Sequence, residues 1–433
     1  MRSNQIIQVE DKVPAKLLVP LSIQHMFAMF GASVLVPFIF GINPAIVLFM
    51  NGVGTLLFIL ITKGKAPAYL GSSFAFLAPA GIVIAKWGYA YALGGFVAVG
   101  ALGCVLALII WKFGTEWIDV VLPPAAMGPV VALIGLELAG SAANTAGLLV
   151  TTDNPVIEPG NVIVFLVTLG VAVFGNVLFR KFLSVIPILI AILSGYASGL
   201  IYEAATGKHE ILDQITAAFQ QPLFALPNFQ TPKFSLDAVL IILPVILVIA
   251  SEHIGHQIVT GKIIGRDLLK DPGLHRSLFA DNFSTMISGF IGSVPTTTYG
   301  ENIGVMAMTR VYSVRVIGGA AVLSIICSFV GPLSALIQTI PGPVIGGISF
   351  LLYGMIGTSG IRILVDNKVD YGKNRNLTLT SVIFVAGLSG VALTLGNVEL
   401  KGMVLAAVVG MILSLLFYVF DKLKWSNDLS EEA

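Results

Sequence analysis

The sequence predicts an all-α membrane protein with 14 transmembrane spans, arranged as a 7+7 inverted repeat. Three observations support this fold class. Hydrophobic residues fill 56% of the 433 positions and charged residues only 11%, whereas an ordinary soluble domain carries roughly 25% charge. Long apolar runs recur along the chain, and residue patterns of its first half return in its second half. Most of the surface is therefore expected to face lipid.

The apolar runs have the length that a bilayer requires, since a helix needs about 20 apolar residues to cross the hydrocarbon core. Both cysteines, Cys104 and Cys327, lie inside such runs, so a disulfide framework is not expected. The third and tenth runs are short and are interrupted by glycine and polar residues. Read between turn and charge signals, the runs place spans near 17–38, 45–63, 68–85, 91–112, 122–142, 161–179, 182–203, 235–260, 275–294, 296–311, 316–338, 342–363, 377–394 and 399–420.

Lysine and arginine predict the orientation of the chain. With the N-terminus in the cytoplasm, inside segments hold twenty of these residues and outside segments hold four, namely Lys86, Lys208, Lys233 and Lys401. Cytoplasmic segments of membrane proteins are enriched in Lys and Arg. We therefore expect cytoplasmic tails at 1–16 and 422–433. The net charge of +1 gives no argument for nucleic acid as a partner.

The second half repeats residue patterns of the first in the same order. Gln24-His25 in span 1 corresponds to Glu252-His253 in span 8, and glycine and proline positions around spans 4 and 5 return around spans 11 and 12. Short, glycine-interrupted spans fall at matching places, 3 and 10. Because each repeat would hold an odd number of spans, the second half is expected to be inverted in the membrane.

A few ionisable residues lie inside the predicted spans. A charge near the bilayer midplane costs several kcal/mol, so each is a candidate functional residue. Glu252 and His256 are four apart in span 8 and share one helix face. Metal ligation is not expected, because the Glu precedes both histidines of this segment, unlike the zinc motif HExxH. The other candidates are His25 in span 1, Glu137 in span 5, Asp281 in span 9 and Glu301 in span 10. Glu137 stands alone among small residues and is expected to be structural, whereas the role of Asp281 stays open.

Spans 3 and 10 each begin with a short extended piece and then turn helical. Non-helical backbone at membrane depth survives only where it lines a cavity or is buried in protein. Two such pieces in inverted halves predict a midplane site between them. Backbone N–H groups at the helix starts would donate to a ligand, Glu252 and Glu301 would accept from it, and Phe74 offers a face for a planar ring. A nucleobase such as uracil has that pattern of donors and acceptors.

Several of these stretches resemble the nucleobase–ascorbate transporters, also called nucleobase:cation symporter-2. They are residues 301–310, Gln24-His25, residues 72–74 and residues 252–256, and the similarity extends from about residue 15 to 425. Purine-transporting members usually carry Gln-Asn where this chain has Glu301-Asn302, so the resemblance is closest to the bacterial uracil permeases. Asp281 is a departure, because Asn is expected there in close relatives.

The resemblance implies a core domain formed by 17–114 and 235–340 and a gate domain formed by 115–234 and 341–421. It also implies that spans 3 and 10 pair as short antiparallel strands. The implied activity is proton-coupled uptake across the cell inner membrane by alternating access, without enzymatic chemistry or a cofactor, commonly as a homodimer. The binding residues carried over from the family are Phe74, Glu252, His256, Tyr299, Gly300 and Glu301.

We hypothesise that Glu252 is the main substrate ligand and that Glu301 carries the proton, hydrogen-bonded to His25, with Asn302 beside it. Protonation would change which donors and acceptors the site presents, and would couple proton to substrate. Three alternatives remain open at this point. They are a xanthine or urate permease of the same fold, an anion exchanger of related fold, which would need a positive site, and a membrane-embedded enzyme.

Overall fold

The computed structural model describes residues 6–151, 155–396 and 398–427. The predicted tails therefore lie partly outside the described residues. In the first half, the elements are α1 (Ala15–Ala28), α2 (Phe30–Phe40), α3 (Pro44–Ile61), β1 (Leu70–Ser72), a 3-10 turn (Phe74–Phe76), α4 (Leu77–Trp87), α5 (Tyr89–Phe113), α6 (Glu116–Val121), α7 (Pro124–Glu137), α8 (Ala139–Thr145), α9 (Pro159–Leu178), a second 3-10 turn (Leu183–Val185), α10 (Pro187–Thr206) and α11 (Glu210–Phe219).

The second half opens with α12 (Leu236–Ile242) and α13 (Val245–Ile264), followed by a π-helical turn (Leu269–Gly273). The remaining elements are α14 (Leu274–Ile291), β2 (Thr296–Thr298), α15 (Gly300–Thr309), α16 (Val314–Ser328), α17 (Gly331–Gln338), α18 (Gly342–Asp366), α19 (Asn374–Leu388), β3 (Ala392–Leu395), β4 (Val398–Lys401) and α20 (Gly402–Lys422).

Within the described residues, nine helical segments are long and apolar enough to cross a bilayer, so the chain is a multi-pass membrane protein. They are Ala15–Phe40, Pro44–Ile61, Tyr89–Phe113, Pro124–Thr145, Pro159–Leu178, Pro187–Thr206, Leu236–Ile264, Gly342–Asp366 and Gly402–Lys422. The other five predicted spans fall on α4, α14, α15, α16 and α19, which are shorter or more polar. The count of fourteen therefore stays a prediction.

The end of span 13 and the start of span 14 differ from the prediction. Residues 392–395 and 398–401 form an antiparallel hairpin, with Leu395 opposite Val398, instead of continuing the helices. Gly390 and Gly396 adopt positive φ values of 73° and 63°. Such backbone ends a helix or turns a hairpin readily only at glycine. An all-α description is therefore wrong at this point of the chain.

Strands β1 and β2 bring the two halves of the chain together in the interior. They pair antiparallel, with Leu70 opposite Thr298, Gly71 opposite Thr297 and Ser72 opposite Thr296, and all six residues are buried. The expected pairing of spans 3 and 10 is confirmed. A two-stranded ladder satisfies only the inward-facing backbone groups of each strand, so neighbouring helices have to supply partners for the outward-facing groups.

Helices of the first half pack along helices of the second half. α14 lies against α5, α16 against α3 and α18 against α7. Glycine permits the first of these contacts, because a Cβ on Gly103 would lie 1.9 Å from Oδ1 of Asn282, and one on Gly100 would lie 2.6 Å from the Met286 nitrogen. Small residues allow such close helix approach inside membranes.

Candidate functional site

The site is formed where β1 and β2 end and two helices begin. The Ser73 N–H donates to the Pro295 carbonyl at 2.9 Å, and the Tyr299 N–H donates to the Tyr69 carbonyl at 3.3 Å. Directly after these contacts the chain turns into the 3-10 turn at Phe74 and into α15 at Gly300. The first N–H groups of a helix have no partner within it. Both segments therefore begin with backbone N–H groups that have no partner within the helix, and with a partial positive charge.

Helix α14 holds the outward edge of β2. Asp281 accepts the Thr298 N–H at 3.0 Å through Oδ1 and the Thr297 hydroxyl at 3.3 Å through Oδ2. The hydroxyl of Thr285 donates to the Thr296 carbonyl at 2.7 Å and accepts the Thr296 N–H at 3.2 Å. Asp281, whose role the sequence left open, thus supplies backbone partners that an isolated ladder lacks.

Helix α3 holds the outward edge of β1, and α15 holds the beginning of this strand on the side that faces β2. The Thr55 hydroxyl accepts the Leu70 N–H at 2.9 Å, and Oδ1 of Asn302 accepts the Tyr69 N–H at 3.2 Å. The ring of Tyr299 packs on the strand, since a Cβ on Gly71 would lie 2.1 Å from its Cζ. The residue as a whole is 3% exposed, so its ring is held by close packing.

Helix α13 brings Glu252, His253 and His256 to the start of α15. His256 places Nδ1 3.1 Å from the Thr298 hydroxyl oxygen, and its Nε2 lies 3.5 Å from where a Cβ on Gly300 would stand. The carboxylate of Glu252 interacts electrostatically with Glu301 in the first turn of α15 and with Asp281. The structure thus gathers the predicted acids and His256 around one helix start.

Phe74 lies on the opposite side of the strand pair, at the start of its 3-10 turn, and is half-buried. Its ring meets Tyr353 of α18 edge to face, with centroids 6.5 Å apart and planes at 81°. Tyr353 was not among the predicted site residues. An aromatic residue inside an apolar span carries no distinguishing signal, so only the fold shows that it borders Phe74.

His25 is buried beside α15, but its side-chain partner differs from the prediction. Nδ2 of Asn302 lies 3.4 Å from Nδ1 of His25, whereas the sequence predicts Glu301 in that position. Successive helical residues point about 100° apart, so Glu301 and Asn302 face different neighbours. Among the described residues, Nε2 of His25 has no hydrogen-bond partner.

Glu137 lies away from this cluster and has a structural role, as predicted. Its Oε2 accepts the N–H of Met403 at 2.8 Å, at the start of α20. A carboxylate at a helix start satisfies an orphan donor and complements the helix dipole.

Comparison with known proteins places the chain among permeases. A family model described as the permease family matches residues 16–396. The uracil permease of Paenibacillus larvae is 53% identical over 427 residues, covering 98% of this chain and 100% of that protein. The uracil permease of Escherichia coli K12 is 54% identical over 422 residues, covering 98% and 96%. That of Bacillus subtilis is 45% identical, covering 92% of each chain. These relatives are transporters by name, not enzymes.

Solved structures of low sequence identity share the fold. Murine Slc26a9, an anion transporter in the inward-facing state, superposes with a TM-score of 0.70 at 12% identity, covering 95% of this chain and 69% of that one. A second SLC26A9 structure gives 0.68 at 13% identity, and this chain spans 65% of its length. The transmembrane domain of the cyanobacterial bicarbonate transporter BicA gives 0.61 at 15%, covering 95% and 100%. With a matching model over most of its length and near-full-length relatives, the chain belongs to the permease family.

Proposed function

We propose that this protein is a proton-coupled symporter that imports uracil across the cell inner membrane by alternating access. One observation carries the proposal most directly. Two carboxylates, Glu252 and Glu301, stand beside the paired strands, where two helical segments begin with N–H groups that lack a partner within the helix. A uracil ring offers both N–H and C=O groups in one plane, so it matches this set of acceptors and donors. The near-full-length relatives named uracil permeases support the same substrate.

The substrate would lie between the 3-10 turn at Phe74 and the start of α15. Glu252 is the main ligand and accepts from a ring N–H, while backbone N–H groups near Phe74, Tyr299 and Gly300 donate to the carbonyl oxygens. The ring of Phe74 packs on the flat face of the base. His256 stands 3.5 Å from the Cβ position of Gly300 and contacts the ligand from α13.

The proton would bind at Glu301, which shares the first turn of α15 with Asn302. A proton there changes an acceptor into a donor within the substrate site. Because substrate then has different affinity for the two protonation states, proton and uracil are coupled. The contact of His25 with Asn302 at 3.4 Å supports this first turn of α15.

The proposed architecture has fourteen spans in two inverted repeats of seven. The core domain comprises 17–114 and 235–340, the gate domain comprises 115–234 and 341–421, and both termini are cytoplasmic. The pairing of β1 with β2 and the packing of α5 with α14, α3 with α16 and α7 with α18 support a repeat. Phe74 of the core then meets Tyr353 of the gate, so the site lies where the two domains move against each other. A homodimer is proposed for the intact transporter.

Two rival substrates share the fold. A xanthine or urate permease would carry a larger purine, and the acidic Glu301 in place of glutamine disfavours it. An anion exchanger would need a positive site, which two facing carboxylates disfavour. The likeness to anion and bicarbonate transporters shows a shared fold, and ligands are decided by the site.

The decisive experiment is uptake of labelled uracil by the purified protein in proteoliposomes, with and without an inward proton gradient. We expect uptake that the gradient stimulates and that excess unlabelled uracil abolishes. Stronger competition by xanthine or urate than by uracil would assign the purine alternative. Flux that depends on chloride and ignores the proton gradient would assign the anion alternative.

Substitution of Glu252 by Ala tests its role as the main ligand. We expect uracil binding to fall about 10- to 150-fold, because a charge-assisted hydrogen bond of roughly 1.5–3 kcal/mol is lost. The measurement is equilibrium binding of labelled uracil. Glu158→Gln, on an exposed residue paired with Lys208, is the control, and undiminished binding in Glu252→Ala would refute the assignment.

Substitution of Glu301 by Gln tests the proton carrier. Gln keeps the size of the side chain but has no titratable proton, so we expect proton-driven accumulation to be lost while downhill exchange of uracil across the vesicle persists. Uptake of Glu301→Gln that still follows the pH gradient would move the proton to another group.

A further inference from the structure

Four side chains form a hydrogen-bond series that extends from the site into the protein interior. Nδ1 of His256 lies 3.1 Å from the Thr298 hydroxyl oxygen, which lies 3.3 Å from Nδ1 of His253. Nε2 of His253 lies 2.9 Å from the Ser277 hydroxyl oxygen. His253, Thr298 and Ser277 are buried, with exposed fractions of 0%, 2% and 0%. Bulk water therefore has no access to rearrange their hydrogen bonds.

The positions of the hydrogen atoms in this hydrogen-bond series follow from its Ser277 end. The Ser277 hydroxyl donates to the Leu274 carbonyl at 3.1 Å. A hydroxyl has a single hydrogen, so the Ser277 oxygen accepts from Nε2 of His253, which therefore carries a hydrogen. A neutral imidazole carries one N–H, which leaves Nδ1 of His253 as an acceptor for the Thr298 hydroxyl. The Thr298 oxygen then accepts from Nδ1–H of His256, and Nε2 of His256 is left as a bare acceptor.

The nearby acids also influence where the hydrogen atoms lie in this hydrogen-bond series. Oδ1 of Asp281 lies 3.8 Å from Nδ1 of His253, beyond the usual 2.7–3.2 Å of a hydrogen bond, and already accepts the Thr298 N–H. An ionised Asp281 favours a hydrogen on Nδ1 of His253, which is the opposite arrangement. Glu252 and Glu301 are the acidic neighbours on the side of His256. The direct 2.9 Å contact with Ser277 is the shortest bond of His253 and opposes this influence.

We propose that Ser277, acting through His253 and Thr298, fixes His256 as its Nδ1–H tautomer, so that His256 presents a hydrogen-bond acceptor toward the start of α15. Ser277, His253 and Thr298 are then positioning residues for the site. The inference rests on the proposed function for its ligand, and it adds that the ligand group facing His256 is an N–H. A base with only a carbonyl or a methylated nitrogen at that position is rejected.

The test is ¹⁵N NMR of histidine-labelled protein in proteoliposomes without uracil, above neutral pH. The chain has five histidines, and a His256→Gln sample identifies the signals of His256. We expect protonated Nδ1 and bare Nε2 in the parent protein. Ser277→Ala removes the end that fixes the hydrogen-bond series. We therefore expect His256 to become a mixture of both tautomers or to change to the Nε2–H tautomer. Ser288→Ala, on a buried serine of the same helix without a hydrogen-bond partner among the described residues, should leave the signals unchanged.

Thr298 supplies the second variant pair, because it joins the two histidines. Thr298→Ser keeps the hydroxyl and should keep the signals of the parent. Thr298→Val interrupts the hydrogen-bond series between the two histidines. Adding Ser277→Ala to this variant should therefore no longer alter the NMR signals of His256. Loss of one favourable hydrogen bond to uracil predicts a KM increase of roughly two- to tenfold in Ser277→Ala, with little change in kcat.

Three outcomes would overturn the proposal. They are a hydrogen on Nε2 of His256 in the parent protein, a doubly protonated ring, and a His256 signal that Ser277→Ala leaves untouched. The NMR result does not depend on uracil transport. A protein with the expected tautomer that fails to take up uracil would refute the proposed substrate and leave the tautomer assignment standing.

Discussion

The two strand-and-helix segments of the site have the same backbone plan but different supports. β1 with α4 and β2 with α15 each have a buried three-residue strand followed by a helical start. The outward edge of β2 is held by Asp281 and Thr285 of α14. The outward edge of β1 is held by Thr55. Asn302, which belongs to the second segment, holds the beginning of β1 on the side that faces β2.

This difference shows that the second segment supports the first. Its own strand has partners from a helix of its own half, and Asn302 also reaches across to the Tyr69 N–H and to His25. The acids Glu252 and Glu301 belong to the same half. A repeated backbone therefore sets where the site lies, while chemistry and support are concentrated in one repeat.

The end of α15 has one further attachment that differs from the end of α4. Residues 7–11, here called the N-terminal strap, run beside the chain after α15. The Ile7 N–H donates to the Arg310 carbonyl at 3.0 Å, and the Tyr312 N–H donates to the Ile7 carbonyl at 2.8 Å. At its end, Glu10 pairs with both terminal nitrogens of Arg266 at 2.5 and 2.6 Å. α4 instead ends at Gly88, with φ 92°.

The largest difference between the two segments should follow from removing their threonine supports. Thr285→Val leaves both the N–H and the carbonyl of Thr296 without that partner. Thr55→Val removes the partner of the Leu70 N–H and only a longer, 3.5 Å contact with the Leu70 carbonyl. A buried unsatisfied group costs about 1–3 kcal/mol, so we expect losses of roughly 2–6 and 1–3 kcal/mol respectively. The relative size of the two losses is measured by thermal unfolding in detergent, with labelling of the buried Cys104 as the signal of unfolding. Equal losses would contradict the asymmetry of support.

A smaller effect should follow from filling the contact between the segments. Gly71→Ala places a Cβ 2.1 Å from the Tyr299 ring, and overpacking of this kind costs about 1–3 kcal/mol. We expect lower thermal stability and weaker uracil binding. Gly81→Ala in α4 is the matched control, because nothing lies within 4 Å of its Cβ position. Similar behaviour of the two variants would mean that the strand pair adjusts without cost.

The smallest effect should come from the N-terminal strap. Hydrogen bonding to Arg266 lowers the pKa of Glu10 below its ordinary value of 4.5. Since the folded-state pKa is depressed, this stabilisation is present above about pH 4.5 and is lost as the pH falls through the lowered value. Both side chains are more than a third exposed, so Glu10→Gln should cost at most about 1 kcal/mol.

Melting curves of Glu10→Gln and the parent at neutral and acidic pH check this expectation. The difference between the two proteins should shrink toward acidic pH and also in high salt, which screens exposed pairs. A difference that grows on acidification would show that the pair opposes folding.

Much of the site could be predicted from local sequence. The spacing of Glu252 and His256 places both on one helix face, and the short polar interruptions at spans 3 and 10 mark the non-helical pieces. The resemblance supplied their pairing. The supporting hydroxyls of Thr285, Thr298 and Ser277 could not be predicted, because threonine and serine are common in membrane helices. Their roles depend on which strand edge lies opposite them.

Two corrections have the same physical origin. Asn302 replaces Glu301 beside His25, and residues 392–401 form a hairpin. In each case a shift of one residue, or one glycine with positive φ, redirects the chain or a side chain. Apolar periodicity averages over many residues and does not resolve such local changes.

Local sequence was sufficient to predict a multi-pass membrane protein with buried acids in its second half. It could do so because apolar length and the cost of a charge in lipid are local properties. The tertiary structure was needed to show the register in which β1 pairs with β2, the completion of the β2 edge by Asp281 and Thr285, and the contact of Ser277 with His253. These depend on satisfying each buried donor and acceptor, and the partner of a buried group is fixed by the fold as a whole.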